Sequence, residues 1–262
     1  PWRLFGNPCL GNDADKTFTK VLDLQVGSPN NRWGFSVHGN LIFLSEYGDN
    51  ARHAYMSVDG GLAWTQIFEG PADAQFHIHD IGYDPYHSAI YIVTGDGAYN
   101  TFYYSLDYGA TWKSFTPSSQ YVGVTATPQY IILGTDSAPN GIHVLRKRFV
   151  NGRLTISADD ITVRYAYDDT ETLSALFHTI TYINGAWYAV NSSTTPDIYP
   201  VIVASPDGWN WYEIYRHPVK VTTDYRGFVK LFTDGTKLYA NYADDTSTRN
   251  KFEITLPTWA EL

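Results

Sequence analysis

The sequence predicts an all-β chain, a five-bladed β-propeller, on three observations. Short β-branched and aromatic runs, such as residues 41–44 (LIFL), 89–93 (AIYIV), 130–133 (YIIL) and 186–190 (AWYAV), are each bounded by Gly, Asn, Asp or Pro, the pattern of strands joined by tight turns. No stretch carries the apolar period of a helix. A set of Ser, Asp, Gly and Trp recurs at fixed spacing in residues 57–64 (SVDGGLAW) and 105–112 (SLDYGATW), and a shortened copy occupies 205–211 (SPDGWNW). The first two serines lie 48 residues apart (105 minus 57) and the third follows 100 later (205 minus 105). That is a period close to 50, the size of one blade of a repeat architecture.

Each unit can be read in order. The first, about 32–68, gives WGFSVHG, LIFLS and ARHAYMS, then the recurring turn; the second gives HIHDIGY, AIYIVTG and TFYYS, then the turn. The third gives YVGVTAT, YIILGT and GIHVLRKR, with a hairpin through Asn151-Gly152 in place of the turn. LFHTITYI, AWYAV and PVIVAS with the short turn form the fourth, and RGFVKLF, KLYANY and KFEITL the fifth. The last unit lacks a fourth strand, which residues 18–24 (FTKVLDL) are expected to supply, closing a ring. Residues 1–262 are therefore read as one domain, a size that all-β folds reach without dividing.

Composition excludes several classes. Hydrophobic residues make up 44% and aromatic ones 16%, with 17% charged, so the chain has the means to bury a core. A net charge of -9 excludes a general nucleic-acid binder, which needs clustered Lys and Arg against phosphates. The one basic cluster, Arg146 to Arg148, reads as a solvated hairpin. Cys9 is the only cysteine, so no internal disulfide forms. No apolar run reaches the roughly 18 residues of a spanning helix, so no membrane insertion is expected. The start at Pro1, with no signal-peptide pattern, suits a processed form or a piece of a longer protein.

The pattern SxDxGxxW resembles the Asp box of sialidase-like BNR-repeat propellers. That resemblance implies hairpins joining the third and fourth strands of a blade, with structural roles for Ser57, Asp59, Gly61 and Trp64, for Ser105, Asp107, Gly109 and Trp112, and for Ser205, Asp207 and Trp211. Asp satisfies turn amides, Gly supplies positive φ and Trp buries a large area. Sialidase activity does not carry over: no FRIP-like segment is present, and Arg32, Arg164 and Arg226 lack the expected catalytic partners. The overall pattern, strongest over residues 76–97 (FHIHDIGYDPYHSAIYIVTGDG) and the turn after them, is similar to five-bladed propeller platforms of phage tail receptor-binding proteins. This implies host adhesion at an extracellular or virion surface, with a bacterial surface polysaccharide or glycan as partner.

Alignment of the units places Trp33, His79, Val122, His178 and Arg226 at equivalent strand entrances. The loops after the second strands add Glu46, Tyr47, Asp96, Asp136, Asn191 and Asp244. Aromatic, imidazole, carboxylate and guanidinium groups around one depression suit sugars, which need stacking faces and directional hydrogen bonds. The expected ligand-binding set is Trp33, Glu46, Tyr47, His77, His79, Asp96, Asp136, His178 and Arg226. His77 and His79 share one strand face; such a pair can ligate a metal with Asp96 or His178, but the reading prefers a hydrogen-bonded pair and assigns neither metal nor cofactor. No catalytic residue is assigned. The alternative is a glycoside hydrolase or polysaccharide lyase using Asp96, Asp136, Glu46 and His79. Because single glycan sites bind weakly, a homo-oligomer or larger assembly is expected to raise avidity.

Overall fold

Turns through residues with left-handed backbone reverse the chain again and again. Asn151-Gly152 and Asn184-Gly185 have positive φ at both positions, the conformation that matches the twist of a two-residue hairpin and that Asn and Gly adopt at least cost. In the computed structural model, residues 9–12, 17–25, 28–29, 34–48, 50–167, 175–193, 197–222, 226–233, 237–244 and 249–254 are described. They divide into two units, residues 1–120 and 121–262.

In the first unit, β1 (Cys9–Asn12) pairs with β2 (Thr17–Lys20). A sheet follows from β3 (Ser28–Pro29), β4 (Phe35–His38), β5 (Leu41–Tyr47), β6 (His53–Ser57) and β7 (Thr65–Glu69), in which β3 and β4 both pair with β5. The next is a four-stranded meander, β8 (His77–Asp84), β9 (Ala89–Gly95), β10 (Thr101–Ser105) and β11 (Lys113–Phe115). All seven residues of β9 are buried, which explains its unbroken apolar run: a strand covered on both faces has no polar side to alternate with. Phe43, Ala54, Ile67, Phe68, Phe76 and Ile78 belong to the core that joins these two sheets.

The second unit repeats the design. β12 (Tyr121–Ala126), β13 (Tyr130–Thr135), β14 (Gly141–Arg146) and β17 (Ile161–Ala166) form one meander, with the hairpin β15 (Arg148–Val150) and β16 (Arg153–Thr155) inserted before its last strand. Then come β18 (Ala175–Ile183), β19 (Ala186–Ser193), β20 (Val201–Ser205) and β21 (Tyr212–Arg216), joined at Ser192 and Gly227 to β22 (Gly227–Thr233), β23 (Leu238–Ala243) and β24 (Arg249–Ile254).

The recurring Ser-x-Asp turns are built alike. In the second, Ser105 Oγ donates to Asp107 Oδ1 (2.7 Å) and accepts from Gly109 N (2.8 Å), while Thr111 donates through its amide (2.9 Å) and its hydroxyl (2.6 Å). Asp59 accepts in the same way from the amides of Leu62 and Ala63, and Asp207 from those of Trp209 and Asn210. These donors favour the ionised carboxylate: the Thr111 hydroxyl lowers Asp107 and the Ala63 amide lowers Asp59. The three carboxylates are thus engaged in shaping their turns rather than in chemistry. Trp112 reaches out of its turn to donate from Nε1 to the carbonyl of Ile67 on β7 (2.8 Å), whereas Trp64 and Trp211 donate within their own turns, to Gly61 (3.0 Å) and Gly208 (3.2 Å).

Several expectations need correction. The third repeat has a fourth strand, β17, that the sequence reading did not assign. One residue of the basic cluster departs from a solvated hairpin: Lys147 is buried with Nζ donating to the Thr127 carbonyl, while Arg146, over the Trp209 ring at 5.2 Å, and Arg148, paired with Asp160, are exposed. Of residues 18–24, only those up to Lys20 are strand, and the pairing of β2 is with β1.

The most regular device is a bulge near the start of the first strand of a meander, in which one extra residue interrupts the ladder. It falls at His79 in β8, at Val122 in β12, at Phe177-His178 in β18 and at Val229 in β22. A bulge bends its strand and re-aims a side chain. It also corrects the alignment of the last repeat, where Val229, not Arg226, is the counterpart of His79. Close approach accompanies it: a Cβ on Gly134 would stand 1.7 Å from the carbonyl oxygen of Phe177. Gly134→Ala must therefore force β13 from β18, and a loss of about 1–3 kcal/mol or more is expected in urea unfolding; an unchanged midpoint would contradict this packing.

Candidate functional site

The start of β8 and the end of β9 bring together the residues that carry chemistry in the first unit. His77 pairs with Gly95, and Asp96 follows directly. The recurring turn at Ser105 sits beyond the far end of β9, because Ser105 pairs with Ile90 and Thr101 with Thr94. His77 and the bulged His79 face each other with Nε2 atoms 2.9 Å apart. The Asp96 carboxylate lies 3.8 Å from His77 Nε2 and 3.6 Å from His79 Nε2. Gln120 Nε2 donates to Asp96 Oδ1 at 2.6 Å. Tyr47, at the end of β5, sets its ring against His77 at 5.6 Å and 82°.

The cluster grades from dry to wet. His79 is buried and His77 half-buried, whereas Asp96 is 67% exposed at its side chain and Tyr47 is 37% exposed. The His79 ring, opposed by partial burial and helped by His77 and Gln120, holds the Asp96 carboxyl down at about 2, so near neutral pH it is a pure acceptor. Gly95 makes the packing possible, since a Cβ there would stand 2.1 Å from His79 Cε1.

The other expected site residues have different surroundings. Glu46 is fully buried: Oε1 accepts from Gln25 N (2.7 Å) and Tyr55 OH (2.9 Å), and Oε2 meets His53 Nδ1 at 2.7 Å. It braces the sheet and does not face a ligand, because residue 46 points away from the side taken by Tyr47. In the second unit, His178 is buried, with Nε2 2.9 Å from Ser192 Oγ and Nδ1 3.0 Å from Thr179 Oγ1. The Arg226 carbonyl accepts from Ser193 N at 2.8 Å, and Asp136 follows β13, half-buried. Arg164 donates to the Trp209 carbonyl at 2.8 Å and lies 4.1 Å over that ring, which fits a turn-bracing role. Trp33 and Arg32 lie outside the described residues. Sequence reasoning missed Gln120, which is 24 positions from its partner and has no motif, and Gly95, for which the TGDG segment was a usable signal.

Consecutive antiparallel meanders with a shared bulge define the class: an all-β propeller-type chain. No protein-family profile matches it, and no curated protein sequence is significantly similar. Among solved structures it is similar to the GH74 enzyme of Niastella koreensis, a β-propeller, with TM-score 0.58 and 12% identity over 95% of this chain and 40% of that one. It is also similar to a chain of a nidogen/laminin complex, with TM-score 0.54 and 11% identity over 92% of this chain and 85% of that one. A third is the dihydro-heme d1 dehydrogenase NirN, with TM-score 0.53 and 10% identity over 94% and 49%. These likenesses support the propeller fold.

Proposed function

We propose that the chain is a non-catalytic carbohydrate-recognition propeller, a single domain of five blades with Asp-box hairpins, acting as a receptor-binding or host-adhesion protein of a phage tail. Its partner is a bacterial surface glycan met at an extracellular or virion surface, and it acts as a homo-oligomer or within a larger assembly. The observation that carries this reading is the cluster of Tyr47, His77, Asp96 and Gln120 at one end of two packed sheets, with its aromatic and carboxylate members exposed. An aromatic ring offers a C–H face of a sugar its stacking surface, and a carboxylate and an amide offer paired hydrogen bonds to hydroxyls.

Recognition is favoured over cleavage by the carboxylate inventory. Glycoside hydrolysis by the usual route needs two carboxyl groups flanking one bond. Glu46, the acid next to Tyr47 in sequence, is buried and engaged by three donors, which leaves Asp96 as the carboxylate of this cluster.

Incubation with bacterial wall polysaccharide tests the reading. Saturable retention without released oligosaccharide is expected, and Tyr47→Ala is expected to weaken it about tenfold, the worth of roughly 1.4 kcal/mol of stacking. Released oligosaccharide would establish the enzyme alternative, and unaltered retention by Tyr47→Ala would move the site elsewhere.

A further inference from the structure

We infer that His77, His79 and Asp96 form a binding site for one divalent first-row transition ion, with its remaining positions open to water or a ligand hydroxyl. The inference concerns the same cluster as the glycan reading but does not depend on it. The three residues each offer a ligand atom, and these atoms lie within 4.8 Å of one another.

Three further features fit an ion rather than a chance grouping. The first is the tautomer of His77: its Nδ1 lies 3.1 Å from the backbone carbonyl of Gln75, a group that only accepts, so Nδ1 carries a proton, and in the neutral ring that an ion would bind Nε2 is the nitrogen with the lone pair, on the side of His79 and Asp96. Metal-ligating histidines are usually held this way, with the outer ring nitrogen donating to a carbonyl or carboxylate. The second is spacing. Two imidazole nitrogens at about 2.05 Å from one ion and 2.9 Å apart subtend about 90°, the angle between neighbouring positions of an octahedron. Asp96 Oδ1 and Oδ2, at 3.6 and 3.8 Å, need move less than about 1 Å to complete one face of it, and its exposed side chain has room to do so.

The third feature is the support around the ligands. His79 is buried and lies so close to Gly95 that any Cβ there would strike its ring, so the strand leaves a gap shaped for this imidazole. Gln120 donates to Asp96 Oδ1 and so holds the orientation of the carboxylate without itself touching the ion. Two imidazoles and one carboxylate suit Zn²⁺, Fe²⁺, Co²⁺ or Ni²⁺ better than Ca²⁺ or Mg²⁺, which favour all-oxygen sets.

Chelator-stripped protein titrated calorimetrically with Zn²⁺ or Co²⁺ alone tests this without any glycan present. One equivalent is expected to bind, with affinity lowered at least about tenfold in Asp96→Ala, lost in His77→Ala, and reduced about 10–100-fold in Gln120→Ala. His77 and Asp96 are not fully buried, so these variants should keep the fold, which thermal unfolding of the metal-free forms checks. His87→Ala, at the far end of the β8–β9 hairpin, should bind as wild type. No saturable binding, or equal binding by the wild type, His77→Ala and Asp96→Ala, would overturn the site. A protein that captures polysaccharide but takes up no ion loses this inference alone; one that takes up an ion but no polysaccharide loses only the functional reading.

Discussion

Replacing Glu46 by Ala is expected to cost about 3–5 kcal/mol, because it strips a buried carboxylate from three hydrogen-bonding partners, one of them the buried His53. Tyr55 OH and Gln25 N both donate to Oε1, and His53, itself buried, meets Oε2 at 2.7 Å. Burial, and then the Glu46 carboxylate, push the Tyr55 hydroxyl above its ordinary pKa, so this phenol stays a neutral donor. Truncation leaves His53 and the Tyr55 hydroxyl in a dry space, where each unmade hydrogen bond costs more than a formed one contributes. Urea unfolding should show a lower midpoint at an unchanged slope. A loss below about 1 kcal/mol would mean that water reaches the site and that Glu46 is available to a ligand after all.

Trp112→Ala is expected to cost on the order of 3 kcal/mol, the lower end for a large aromatic since part of the ring is solvated. Its Nε1 donates to the Ile67 carbonyl at 2.8 Å and its ring meets Phe68 edge-on at 5.1 Å, so it fastens the turn of one meander to the outer strand of the one before. Gly109 lets the turn come this near, because a Cβ there would stand 2.7 Å from Ile67 Cβ. Trp64, which donates only to Gly61 in its own turn, should lose less on the same change. Trp112→Phe should lie between, keeping much of the contact but leaving the carbonyl without its indole donor. Equal losses for the two tryptophans would contradict the distinction.

Much of the fold was legible because it is repeated. The spacing of Ser57, Ser105 and Ser205 and the apolar runs between them located most strands, and Asn151-Gly152 marked a hairpin by dipeptide chemistry alone. What escaped was whatever depends on a register shift. A bulge adds one residue without changing composition, so nothing separates Val229 from its neighbours in the sequence, and Arg226 was aligned in its place. The strand β17 was overlooked because a hairpin, β15–β16, intervenes where the other repeats have a short turn.

The candidate site was half legible. His77, His79, Asp96 and Tyr47 were expected together, and in the first unit they meet. Glu46 was placed beside them as part of the loop after the second strand, yet it lies with Tyr47 inside β5, where neighbours face opposite sides, and its three donors come from residues as distant as Gln25. Lys147 misled in the same way: a run of three basic residues reads as solvated surface, but the Thr127 carbonyl takes up its ammonium group within the fold.

Histidine-selective NMR during titration with bacterial wall polysaccharide fragments tests the central claim most directly. The account predicts saturable shifts of the ring signals of His77 and His79, with those of His53, buried beside Glu46, left in place. Saturable binding that moves His178 or His217 while His77 and His79 stay fixed would contradict it.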